Sequence, residues 1–204
     1  MTALTQALTT TPLRAALAGI ILAAALSVLW LLGTGTDAAS FTTFITRFIH
    51  VFAGMVWVGL IWFVNFVQLI VVARLDEGAR AGLMREVAPR VAYWFRIASH
   101  VTLASGLILL VLTGYLLPSI MFGAGAFRAG GWQLLTWVGT AGGIIMWVLV
   151  NMVIWPNLKR VIGLTPADED AKAQARAKVM RYARVNLLLS IPVTYAMVAA
   201  AHLS

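Results

Sequence analysis

Between Arg47 and Gln68 the chain is almost wholly apolar, yet Arg47, His50, Gly54, Trp57, Asn65 and Gln68 recur in steps that place them on one helical face. Hydrocarbon makes polar groups costly to expose, so this stripe is expected to face the interior of a bundle. Apolar runs at about 13–32, 44–73, 91–117, 132–155 and 185–203 are each long enough to cross a hydrocarbon core of about 30 Å. The pattern predicts an all-α fold: a polytopic membrane helical bundle with five transmembrane helices, occupying residues 1–204 as a single integral membrane domain.

Composition agrees with that pattern. Hydrophobic residues make up 61% of the chain and charged ones 11%, against roughly 25% charged in ordinary soluble domains. The net charge of +8 is placed in two connections, about 74–90 and 157–184. The first holds Arg74, Arg80, Arg85 and Arg90, with Arg96 just beyond. The second carries Lys159, Arg160, Lys172, Arg176, Lys178 and Arg181, with Arg184 at its end. The positive-inside rule makes these loops cytoplasmic, with the N-terminus inside and the C-terminus periplasmic. The basic excess is thus an orientation signal and an attraction to lipid headgroups, and nucleic acid is not an expected partner. The expected location is the bacterial cytoplasmic (inner) membrane, multi-pass. The run after Arg14 is longer than a signal-peptide core, and is expected to be a retained helix rather than a cleaved leader.

Local signals refine the elements. Thr165 as N-cap, Pro166 at the first helical position and Asp168 at the third predict a basic helix leading into the last span. Pro192 should kink that span and free a carbonyl near Leu188, which Ser190 helps to satisfy. Gly139 and Gly143 would let a neighbouring backbone approach closely. Residues 118–131, with Gly123, Gly125, Gly130 and Gly131, read as a turn-rich outer connection.

The chemistry has few carriers. There is no cysteine, which removes disulfides, thiolate metal sites, iron–sulfur clusters and covalently attached haem. The three histidines, His50, His100 and His202, all lie in or beside predicted spans. Two neutral imidazoles on different helices are the simplest means by which such a bundle would hold haem b. At about 1.5 Å of rise per residue, His50 lies about 9 Å below the outer surface and His202 about 6 Å below it. His100 lies deeper, about 13 Å from the inner surface by the same rise, so His50 and His202 are the favoured axial pair and His100 the lesser candidate metal ligand. Gly54 would leave room for a flat macrocycle, Trp57 would pack in the bundle or form an aromatic wall beside that macrocycle, and Arg47 would pair with a propionate or reach lipid phosphate. Trp30, Trp132 and Trp155 read as interfacial anchors, and Met55, Met146, Met152 and Met197 as core filler rather than a copper path.

The string Arg47-Phe48-Ile49-His50-Val51-Phe52-Ala53-Gly54-Met55-Val56-Trp57-Val58-Gly59, with Asn65 beyond it, resembles the membrane domain of bacterial urate oxidases, the urate oxidase N-terminal domain family. Tyr93-Trp94-Phe95-Arg96 leading to Gly106, Ile154-Trp155-Pro156-Asn157, and Arg184 to Pro192 leading to Met197 and His202 resemble it as well. The resemblance implies a membrane-embedded redox protein linked to urate oxidation, fused in some members to a C-terminal cytochrome c domain. No Cys-x-x-Cys-His is present, so urate oxidation by this chain is expected to need a separate cytochrome acceptor. The function expected is that of an electron-transfer subunit carrying haem b, with a cytochrome c or a larger membrane complex as redox partner. The alternative is a non-catalytic accessory or assembly subunit, in which the polar stripe serves helix contacts.

Overall fold

A computed structural model describes residues 3–120 and 132–202. These residues are 90% helical and contain no strand, and five helices are long and apolar enough to span a membrane. The turn-rich connection expected at 118–131 falls largely on residues 121–131, outside the described residues. The chain divides into two compact units, residues 1–42 and 43–204.

The first unit contains α1 (Ala3–Thr9) and α2 (Pro12–Thr34), with the start of α3 (Ala38–Phe63). Thr11 caps α2 by accepting from the Arg14 N–H at 3.2 Å, and Pro12 occupies the first turn, where its missing N–H costs nothing. Gly35 ends α2 in the left-handed region, at φ +62°. None of the side chains of α2 is buried, as expected of a helix solvated by lipid. The Asp37 carboxylate caps α3 through the Ala39 and Ser40 N–H groups, both at 3.0 Å. Its hydrogen bonds with Ser40 hold its pKa below the usual carboxylate value.

In the second unit α3 passes through a π-helical turn, Val64–Gln68, into α4 (Leu69–Arg74). Next come α5 (Glu77–Glu86), capped by Asp76, and α6 (Ala88–Leu112). Gly114, at φ +75°, ends that span before the predicted limit of 117 and leads to the short α7 (Leu116–Ile120). Then α8 (Trp132–Val148) passes through a second π-helical segment, Leu149–Ile154, into α9 (Trp155–Val161), and α10 (Glu169–His202) closes the bundle.

Trp57 and Ile61 from α3, Ala98 from α6, and Met146 and Val150 from the fourth span form the core. The most extensive helix contact is between α8 and α10. A β-carbon at Gly139 would lie 2.9 Å from Met197 Sδ, and one at Gly142 would run into Val193 Cγ2. Nothing approaches the corresponding position at Gly143, so the close-packed pair is Gly139 with Gly142 rather than Gly139 with Gly143.

The start of α10 differs from expectation too. Thr165 donates its N–H to Lys159 O at 3.2 Å and so completes the end of α9. The cap is instead Asp168, whose carboxylate accepts from Ala171 N–H at 2.7 Å. Pro192 lies within a continuous α10, and Ser190 Oγ donates to Leu187 O at 2.7 Å rather than to Leu188.

Candidate functional site

His50 is the histidine that reaches a second helix. Its Nδ1 lies 2.9 Å from Thr102 O on α6, with Ser105 Oγ at 3.5 Å. A carbonyl can only accept, so this contact assigns the proton to Nδ1 and leaves the Nε2 lone pair free. The ring rests against Gly106, where a β-carbon would be 2.8 Å from His50 Cε1. Gly106 therefore makes the seat that Thr102 orients.

The other two histidines bond only to their own helices. His202 Nδ1 is 2.9 Å from Val198 O, and His100 Nδ1 is 2.6 Å from Arg96 O, with both side chains exposed. The His100 ring meets Trp147 edge-on at 5.5 Å.

The remaining stripe residues divide. Arg47 is exposed. Gly54 faces α6, and a β-carbon there would make an ordinary 3.8 Å contact with Thr102 Cγ2. Trp57 is 4% exposed within the core, and its indole N–H has no partner.

A second polar assembly lies toward the basic loops. Arg96 Nε donates to Asn151 Oδ1 at 3.4 Å, and Asn151 Nδ2 donates to Ser99 Oγ at 3.3 Å and Trp147 O at 3.1 Å. The Arg96 guanidinium sits 4.6 Å from the centre of the Trp155 ring, so Trp155 is more than an interfacial anchor. Asn65 Nδ2 donates to Ile61 O at 2.9 Å and across to Ala183 O at 3.3 Å. Asn65 and Asn151 both occupy π-helical segments, where widening of the turn disturbs the carbonyl ladder and a side-chain amide supplies a donor.

Asn65, Arg96 and Trp155 border a cavity of about 930 Å³ lined by parts of α3 to α6, the two π segments, α9 and α10. Asn186 at its wall is 1% exposed with neither amide atom bonded, and buried Gln68 has an unpartnered Oε1. Ser99 and Asn151 are additions to the residues singled out from sequence, where Asn186 entered only within the string from Arg184 to Pro192. The rule that drew attention to Asn65, a polar side chain within an apolar span, would have found Asn151 as well.

Comparison with known proteins finds no matching family model, no matching curated protein and no matching solved structure.

Regarding haem b, His50 fits the part of an axial ligand, because its Nδ1–H is engaged by a carbonyl and its Nε2 is free, the arrangement that orients metal-binding histidines. His202 also leaves Nε2 free, on a different helix. Among the described residues no cluster of three or more metal-ligating side chains occurs.

Proposed function

We propose that the chain is an electron-transfer subunit of the bacterial inner membrane that carries one haem b between His50 and His202. The observation that carries this reading is the His50 imidazole, fixed through Nδ1 by Thr102 O and left with a free Nε2. When bound, the haem iron supplies one-electron redox chemistry. Thr102 holds the Nδ1 proton and thereby the tautomer, while Gly106 admits the ring close to the backbone of α6. The π segments and the α8–α10 contact hold the surrounding helices. The basic loops lie on the cytoplasmic side and His202 toward the periplasm, where a cytochrome c or a larger complex exchanges electrons. Urate oxidation with a separate cytochrome acceptor is a distinct alternative, and would appear as urate consumption that depends on added cytochrome.

The visible spectrum of the purified protein tests the proposal. A reduced b-type band and extractable haem are expected, lost in His50→Ala and kept in His100→Ala. A colourless wild type without extractable haem refutes it. The accessory-subunit reading is favoured by a different observation: the bonds of His50, Asn65 and Asn151 to neighbouring helices are the kind that hold membrane helices together, at about 1 kcal/mol each. Stoichiometric protein partners in a pigment-free preparation would select it.

A further inference from the structure

Arg96 is a half-buried cation in a membrane-length helix, and among the described residues no carboxylate pairs with it; the ion pairs there are Arg85–Glu86 and Lys172–Glu169. Its neighbours are neutral: the Asn151 amide and the Trp155 ring. Charge removed from water in this way persists where something compensates it.

Arg96 lines the cavity of about 930 Å³, together with Asn65, Gln68 and Asn186. The Asn186 amide and Gln68 Oε1 have been stripped of water without finding a protein partner, a state that ordinarily costs about 1–3 kcal/mol per group. Most of the remaining wall is apolar, with Ile61, Phe95 and Ile154 among it. At the rim the charges either have partners or, as with Glu77 and Arg176, are exposed to solvent. Lys172 pairs with Glu169 at 2.7 Å, Arg80 donates to Val72 O and Leu75 O, and the Asp76 carboxylate caps α5. The unmet demand lies inside: one positive charge, unpaired amides and an apolar wall.

We propose that this cavity binds an amphipathic organic acid, its anionic carboxylate or phosphate head on Arg96, its body along the Ile61, Phe95 and Ile154 wall, and the Asn186 and Gln68 amides completing the polar contacts. A neutral guest would leave Arg96 uncompensated, and a small inorganic anion would leave the apolar wall wet. The acid enters either from the lipid leaflet, as a fatty acid or acidic lipid, or from water, as a soluble aromatic or aliphatic acid. No histidine lines the cavity, so the inference stands apart from the haem reading and survives or fails without it.

Equilibrium binding to the full chain in an uncharged detergent tests it, with oleate and 2-naphthoate as probes and methyl oleate and 2-naphthamide as their uncharged counterparts. The expected result is saturable binding of at least one acid in preference to its counterpart, weakened about tenfold or more in Arg96→Gln and retained in Arg96→Lys. Oleate alone assigns the leaflet as source, 2-naphthoate alone assigns water, and both together show that an acid head on an apolar body suffices. Asn186→Leu, which removes the unpaired amide without touching Arg96, should also weaken binding. Two results overturn the proposal: no preference for either acid, or Arg96→Gln binding as well as wild type. If Arg96→Gln does not elute as a single species, Met84→Trp decides, because its indole obstructs the cavity and leaves Arg96 in place. Undiminished acid binding in that variant overturns the proposal equally.

Discussion

His50 and Gly106 show how one missing side chain sets the position of another. A β-carbon at Gly106 would fall 2.8 Å from His50 Cε1 and 3.0 Å from Nδ1, so Gly106→Ala must push the ring away from Thr102 O or force α6 to yield. Overpacking of this kind costs about 1–3 kcal/mol. A lower midpoint of thermal unfolding in detergent is therefore expected, with any haem band weakened alongside it. An unchanged midpoint would show that the seat is looser than its geometry. His50 is legible in the sequence because an imidazole in an apolar run needs a partner. Its partner is not, since Thr102 lies 52 residues away and nothing local marks the meeting of the two. The same holds for Asn186: the chain shows an asparagine in a span, while its two unbonded amide atoms emerge only from the packing around it.

Among the elements, α8 and α10 depend on small residues where they touch. Gly142→Leu would drive several atoms into the place of Val193, and is expected to separate the helices at a cost of at least about 1–3 kcal/mol. Gly143→Leu, with nothing nearby, should be tolerated. Thermal unfolding of the two variants side by side checks the contrast; equal losses would place the contact elsewhere. Sequence spacing identifies a glycine-rich face but not the rotation of the helix, which the packing of α10 decides. The start of α10 teaches a related lesson. Thr165, Pro166 and Asp168 are all suitable near a helix N-terminus, and the choice falls to Asp168 because the Thr165 N–H is taken up by Lys159 O at the end of α9. Neighbouring ends compete for the same residues, and local preference does not rank them.

The molecule as a whole was the most legible level, because a span is written in every residue of its length. The five apolar runs reappear as five membrane-length helices, the last of them preceded by a basic helical stretch as Lys172 to Arg184 suggested. The cavity was illegible, being assembled from Asn65, Gln68, Arg96 and Asn186 on three separate spans. Orientation is open to direct measurement because the chain has no cysteine of its own. With the basic loops inside, Thr36→Cys should react with an impermeant thiol reagent in intact cells, and Ala173→Cys only after permeabilisation. The opposite labelling would invert the bundle.

A π-helical turn is what a helix becomes when it must house one residue too many while both flanks stay fixed by packing. Val64–Gln68 and Leu149–Ile154 are thus two points where the chain carries spare length. Deleting a single residue at either would leave an unbroken helix, but would swing Asn65 or Asn151 out of its present direction. At these two points a one-codon loss would spare the architecture and alter the chemistry it encloses.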